Sequence, residues 1–143
     1  MFKKRNAKIV PSSSSRIDKD ETAWADKDGV PILFYAVLQN KVGIVRKLLN
    51  SKLCTKSRLN IPIFEDGIVE FGIPAKASTL LAAMAFACVE IVEMLLNKGA
   101  DPYIVDKSGI DSLMFASTLG RAENVTFWLS RFPDWDVNRG NIM

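Results

Sequence analysis

Few side chains in this sequence have the types and spacing that catalysis requires. The carboxylates of Glu90 and Glu93 are three residues apart, which places both on one face of a helix. Such a pair could share general acid and base work, but no nucleophile, metal-ligand set or phosphate-binding loop adjoins it. The chain also has no histidine, so the usual general base and the commonest transition-metal ligand are both missing. We therefore expect solvated surface carboxylates, and a protein that is not an enzyme.

The two cysteines indicate neither a disulfide framework nor a metal site. Cys54 and Cys88 lie in different predicted elements, without the short spacing of a metal or redox motif. We expect reduced thiols, a cytoplasmic or nuclear location, no cofactor and no small-molecule substrate. The uncharged run 77–89 is too short for a membrane span of about 20 residues.

Charge is divided unevenly along the chain. Residues 1–64 hold 13 basic and 5 acidic side chains, whereas residues 65–143 hold 6 basic and 11 acidic ones. A stretch without any acid, called the basic patch below, could attract nucleic acid or anionic lipid headgroups, although a solvated helix face is the simpler interpretation. No aromatic residue interrupts the patch to stack on bases, so nucleic acid and membrane surfaces remain the second interpretation. The basic patch consists of Lys41, Arg46, Lys47, Lys52, Lys56 and Arg58.

The order of the chain indicates a disordered leader followed by repeated helix pairs. Residues 1–20 are basic and serine-rich with no apolar period, and we expect them to be disordered. Residues 21–143 form the folded domain, in which Ala36, Ala83 and Ala116 occupy equivalent positions. The last two are 33 residues apart, but the first two are 47 apart, so fourteen residues have been inserted. The repeats are predicted at about 26–58, 74–105 and 106–138, with the insertion at about 59–73.

Each repeat has the apolar spacing of two short amphipathic helices. In the first repeat the helices are predicted at about Ile32–Gln39 and Gly43–Asn50. In the second repeat, Gly99 and then Pro102 mark the end of the second helix. The sequence therefore predicts an all-α helix-turn-helix solenoid.

The insertion has a strand-like pattern of its own. Ile61–Glu65 and Ile68–Phe71 flank Asp66-Gly67, a dipeptide that suits a tight turn because both residues tolerate positive φ. We predict an elongated β-hairpin or a long ordered loop. Whether it is a binding element or only a longer connection stays open at this point.

The end of the third repeat is rich in aromatic residues. Phe127, Trp128, Phe132 and Trp135 could surround a ligand, but their helical spacing is more typical of packing. The last turn, Asp136–Met143, lies where a further repeat would begin, which is typical of a longer array. We expect a monomer.

These motifs together resemble those of an ankyrin repeat domain over residues 26–138, apart from the insertion. The middle repeat carries the closest motif, Glu90-Ile-Val followed by Leu95-Leu96 and Gly-Ala-Asp-Pro102. Asp-Lys-x-Gly opens the first and third repeats. The Thr-Pro-Leu-His motif of the family is replaced in all three repeats, so its histidine is absent.

The resemblance implies a non-catalytic module that binds another protein through the turn tips and the exposed face of the first helices. Five of the implied residues, namely Val30, Leu38, Phe86, Ile110 and Leu119, would form an apolar stripe across the three repeats. In the alternative, the insertion or the lead-in segment, Glu21–Ala25, folds over this stripe and hides it. The partner-binding residues carried over from the family are Lys27, Asp28, Val30, Leu38, Gln39, Phe86, Lys107, Ser108, Ile110 and Leu119.

Overall fold

A computed structural model of the chain describes residues 24–26, 29–68, 70 and 72–137, which contain seven helices. None of the helices in these ranges is long and apolar enough to cross a membrane. The helices are α1 (Ile32–Leu38), α2 (Val42–Leu49), α3 (Lys56–Leu59), α4 (Thr79–Phe86), α5 (Val89–Asn97), α6 (Ser112–Thr118) and α7 (Ala122–Arg131).

Six of these helices form two rows. Helices α1, α4 and α6 pack side by side in an inner row, and α2, α5 and α7 form an outer row. Each inner helix packs on the outer helix that follows it in the chain. The short α3 lies in the connection between the first and second repeats. The chain is therefore an all-α, two-layered solenoid, as the sequence predicts.

Side-chain caps begin two of the inner helices. Ser78 Oγ accepts a hydrogen bond from the Leu81 N–H at 3.1 Å before α4, and Asp111 Oδ1 accepts one from the Met114 N–H at 2.8 Å before α6. These caps satisfy backbone donors that the first helical turn leaves without a partner. Helix α1 follows Pro31, whose side chain makes no cap hydrogen bond.

The first hydrophobic core lies between the two rows. Leu33, Leu80 and Leu113 hold equivalent positions in the inner helices and are all buried, as are Leu48 and Leu95 of the outer row. Burial of one such leucine stabilises the fold by about 2 kcal/mol. The apolar residues that repeat with helical spacing in the sequence are therefore the ones buried between the two rows.

Polar side chains join the second and third repeats at the end of α4. The Arg121 guanidinium donates to the backbone oxygens of Ala85 and Ala87. Asn124 Nδ2 donates to the oxygens of Met84 and Ala87, at 3.0 and 2.9 Å. Because the last carbonyls of a helix have no partner within the helix, these bonds satisfy α4 and hold α7 against it.

The described residues of the insertion that follow α3, 60–68, 70 and 72–73, form an ordered loop, and no β-hairpin forms among them. In this part of the described chain the only extended pairings are isolated antiparallel bridges, which join Ile63 to Ala77 and Ile68 to Ile73. The described residues of the predicted segments 61–65 and 68–71 therefore do not pair with each other. The physical reason is that Ile63 and Ile68 each pair with a residue nearer α4, where both isoleucine side chains are buried.

Candidate partner-binding surface

The inner row presents an uncharged surface. No residue of α1, α4 or α6 carries a charge, whereas each long outer helix carries arginine, lysine or glutamate. The face of the inner row that points away from the outer helices is called the inner face below. An uncharged surface can be buried against another protein without the cost of removing ions from water.

The insertion covers one part of the inner face. Ile63, Ile68 and Ile73 are 4, 4 and 3% exposed, and they form a second core, separate from the one between the rows. This second core connects the insertion to the first two repeats. Its other members are Val30, Phe34, Tyr35, Ala77, Leu81 and Ala82.

The insertion changes which residues of the predicted apolar stripe are accessible. Val30, which the stripe prediction places on an exposed surface, is only 3% exposed because the insertion packs over it. At Val30, therefore, the structure follows the alternative in which the insertion folds over the stripe. Leu38, Phe86 and Ile110 are half-buried, and Leu119 is 45% exposed.

A band of partly exposed apolar side chains borders the insertion. Leu38 of α1, Phe86 of α4 and Phe115 of α6 pack against the second core, and Phe64 is contributed by the insertion itself. We call these four residues, together with Leu119 at the end of α6, the apolar margin. It crosses all three repeats, and contiguous apolar surface of this kind marks interaction sites.

Phe64 is held in this margin by an unusual backbone conformation. Its φ is +57°, a left-handed value that costs a residue with a large side chain about 1 kcal/mol. The Phe64 ring packs edge-on against Phe34, with the ring centroids 5.5 Å apart. The Gly67 N–H donates to the Phe64 carbonyl oxygen at 3.0 Å and closes the turn that the sequence predicts at this point.

Aspartates order the turns of the first and third repeats; Asp26 is half-buried and Asp106 is buried. Asp26 accepts hydrogen bonds from the Val30 N–H at 3.0 Å and from the Tyr35 hydroxyl at 2.6 Å. In the third repeat, Asp106 Oδ1 accepts hydrogen bonds from the N–H groups of Ser108 and, at 3.0 Å, of Ile110. Side-chain acceptors of this kind preorganise a turn.

The turn tips supply the remaining predicted contact residues. Lys107 and Ser108 are exposed, and the Lys107 N–H donates to the Ala75 oxygen at 3.0 Å, which links neighbouring tips. Gln39 is half-buried at the end of α1. Lys27 and Asp28 lie outside the described residues. The binding role of this set stays a prediction.

The turn of the second repeat lacks the aspartate. The position equivalent to Asp26 and Asp106 is Ile73, 47 residues after the first and 33 before the second. The backbone groups of this turn, residues 73–77, bond to the insertion instead. The Ile73 N–H donates to Ile68 O at 3.0 Å, the Lys76 N–H to Phe64 O at 2.9 Å, and Ala77 O accepts from the Ile63 N–H at 2.8 Å.

The exposed edge of the insertion is acidic. Glu65, Asp66 and Glu70 are all exposed. Glu65 lies 3.3 Å from the ammonium of Lys76, in an exposed pair that contributes little to stability. The apolar margin therefore has carboxylates beside it at the Phe64 end.

All six residues of the basic patch are exposed. Arg46 pairs with Glu90 at 2.8 Å and so connects α2 to α5, and the Arg58 guanidinium donates to the Leu53 oxygen at 2.9 Å. Arg46 and Arg58 are thus already engaged within the chain. Binding of nucleic acid or lipid headgroups by this patch stays a prediction.

The residues considered for catalysis are not brought together. Glu90 pairs with Arg46, and Cys54 and Cys88 are both free thiols. Burial raises the pKa of the Cys54 thiol, and the nearby Lys98 opposes that rise. Among the described residues, no three Cys, Asp or Glu side chains cluster as a metal site would require.

The aromatic residues of the third repeat pack against one another. Trp128 is fully buried, with the Phe132 ring 4.9 Å away and the Trp135 ring 5.2 Å away between centroids. Tyr103 stacks on Trp135 at 4.9 Å, and Phe127 is half-buried. This geometry is that of packing, the interpretation favoured from the sequence.

Sequence reasoning missed two members of the apolar margin, Phe64 and Phe115. The sequence analysis places Phe64 in a segment predicted as a hairpin strand or a long loop. A phenylalanine beside a predicted turn is a signal that its ring packs on the rest of the domain. Phe115 occupies the position of Tyr35 and Ala82 in the other repeats, and this alignment could have identified it.

Comparison with known proteins agrees with this architecture. Residues 80–129, which include α5, α6 and most of α4 and α7, match the family model of ankyrin repeats. The crystal structure of an ankyrin repeat domain from Acinetobacter baumannii AYE matches with a TM-score of 0.53 and 25% sequence identity. The match covers 71% of this chain but 47% of that one, so this chain spans about half the length of that structure. No curated protein matches the chain.

Proposed function

From the premise that this chain carries ankyrin repeats in an all-α solenoid, we propose that it is a non-catalytic module that binds another protein. Ankyrin repeats generally mediate protein–protein interactions. The proposed contact surface consists of the apolar margin and the exposed turn tips. The proposed partner is a macromolecule, because the partly exposed residues of the margin come from all three repeats.

The observation that carries the proposal is the uncharged inner face with its partly exposed margin. Leu38, Phe86 and Leu119 come from three different repeats, so one partner could contact all of them. Burial of apolar side chains near the centre of an interface supplies most of its binding free energy. The inner helices carry no charge that would have to be desolvated on binding.

The turn tips support the same assignment. Lys107 and Ser108 are exposed, yet the turn below them is held by hydrogen bonds to Asp106. A turn that is already ordered loses little conformational entropy when it binds. Such polar residues suit the rim of an interface whose centre is the apolar margin.

Site-specific photo-cross-linking tests this assignment. A photoreactive residue is placed at Leu119, on the inner face, or at Leu129 on α7, and each chain is expressed in cells and irradiated. The two positions form a matched pair, because their leucines are 45 and 40% exposed and both lie in the third repeat. We expect a discrete cross-linked protein from position 119 and not from position 129.

The proposal is contradicted if both positions give the same pattern, or if position 119 gives none. A second measurement uses Leu119→Asp, with Leu129→Asp as its control. We expect only the first substitution to abolish capture of the cross-linked protein, with circular dichroism unchanged in both. Capture that is lost at high salt, and not with Leu119→Asp, would instead favour the basic patch.

A further inference from the structure

The insertion shows what kind of segment the inner face accepts. It crosses the inner face without helical structure of its own over residues 61–68, and it buries the side chains of Ile63, Ile68 and Ile73. Its backbone is held to the turn of the second repeat by hydrogen bonds. A non-helical segment with apolar side chains, which turns at residues 64–67, is thus already packed on this face.

The same packing surface continues beyond the insertion. Leu38, Phe86 and Phe115 touch the second core but remain partly exposed, and Leu119, 45% exposed, caps the end of α6 one turn after Phe115. The insertion therefore ends before the apolar surface does. The uncovered part is continuous with an interface that the fold already uses.

The charges beside this uncovered part limit what can bind there. Phe64 lies at the start of the turn that also contains Glu65 and Asp66, and Glu70 is exposed on the same insertion. Glu65 is paired with Lys76, which leaves the carboxylates of Asp66 and Glu70 to act on a partner. A cation is favoured beside them and an anion is disfavoured.

We propose that the occupant of the apolar margin is a non-helical segment of a partner protein, in which two apolar anchor residues are flanked by lysine or arginine. The anchors pack on Phe64, Phe86 and Phe115, and the cation faces Asp66. This inference rests on the proposed function and adds the chemistry of the partner. It assigns the insertion a direct part in binding, through Phe64 and its acidic turn.

The test uses a displayed library of random peptides selected against the intact chain. We expect enrichment of peptides with two apolar residues and an adjacent lysine or arginine. Synthetic copies of enriched peptides are then measured against Phe64→Asn and Asp66→Lys. Asparagine tolerates the left-handed backbone of position 64, so Phe64→Asn removes the ring and retains the turn.

We expect Phe64→Asn to weaken binding by about tenfold or more, as loss of a central anchor does. Asp66→Lys should shift the selected peptides from basic to acidic flanks. Glu123→Lys, the same charge reversal on α7 of the outer row, should change neither result. Thermal unfolding of each variant verifies that the fold is retained.

The inference is overturned if no peptide is enriched, if enriched peptides show no basic preference, or if Phe64→Asn binds them unchanged. These failures are distinguishable from failure of the proposed function. A partner cross-linked at Leu119 without any such peptide would retain the interaction module and reject this partner chemistry. Peptides that bind as expected, without a cross-linked protein in cells, would support this binding chemistry and contradict the proposed binding of a protein at position 119.

Discussion

The turn of the second repeat and the turns of the first and third repeats are stabilised by different parts of the chain. In the first and third, Asp26 and Asp106 accept hydrogen bonds from backbone groups of their own turn. In the second, Ile73 takes the aspartate's place, and the insertion supplies the hydrogen-bond partners. Backbone hydrogen bonds to the insertion thus take the place that an aspartate side chain has in the other two turns.

The difference shows that the insertion belongs to the second repeat. The aspartate turns close through contacts a few residues apart, which requires little ordering of the chain. The second turn needs residues 63–68 in place before its backbone groups have partners, and that ordering costs conformational entropy. Burial of three isoleucines in the second core offsets this cost.

The largest effect is expected for Ile73→Asp, which gives the second turn the residue type of the other two. The carboxylate would enter the second core at a position only 3% exposed, and the apolar burial of the isoleucine would be lost. We expect the free energy of unfolding to fall by about 4 kcal/mol. Urea denaturation followed by tryptophan fluorescence measures it.

Asp106→Ala is the counterpart in the third repeat. It leaves the N–H groups of Ser108 and Ile110 without their acceptor, and the expected loss is about 2 kcal/mol. If Ile73→Asp is neutral or stabilising, the two kinds of turn are interchangeable and the contrast between them is wrong.

An effect smaller than that of Ile73→Asp, but larger than that of Asp106→Ala, is expected for Gly67→Ala, which tests how closely the insertion approaches the turn. A Cβ on Gly67 would lie 2.5 Å from the Ile73 oxygen and 2.8 Å from the Ala75 nitrogen, and its φ is +74°. Neither backbone atom can move without opening the second turn. We expect a loss of about 3 kcal/mol, measured by urea denaturation.

Gly72→Ala is the matched control for that substitution. Gly72 has a similar φ of +68°, but nothing lies within 4 Å of the Cβ that alanine would add. Only the cost of placing alanine in a left-handed backbone conformation remains, so we expect the free energy of unfolding to fall by about 1 kcal/mol. Equal losses at the two glycines would mean that the insertion does not pack against the turn.

The features that the sequence predicts well are the ones that depend on local spacing. Helices α1 and α2 lie within about a residue of their predicted bounds, because an amphipathic period is a property of consecutive residues. A turn also forms within one residue of its predicted place, from Phe64 to Gly67, and glycine's tolerance of positive φ is a local property. The short α3 was missed, because four residues are too few to show a period.

The features that were missed depend on contacts between distant segments. Val30 was placed on an exposed stripe because the corresponding position in the family lies at a turn tip. It is buried because Ile63 and Ile68, more than thirty residues later, pack in the same core. The pairing of Ile63 with Ala77 was missed for the same reason, because both predicted strands ended before residue 77.

The smallest change in stability is expected at Lys76. At this position all three turns have a left-handed backbone. Its φ of +58° matches the left-handed values of Gly29 and Gly109 at the equivalent positions. Lys76→Gly removes the strain but also loses the exposed pair with Glu65 and adds freedom to the unfolded chain. We expect a net stabilisation of about 0.5 kcal/mol, measured as a rise in Tm. Lys76→Ala, which loses the same ion pair and keeps the strain, should be slightly destabilising. If Lys76→Gly is instead less stable than Lys76→Ala, the insertion determines the backbone conformation of Lys76. The second turn then differs from the other two in its backbone as well as in its hydrogen bonds.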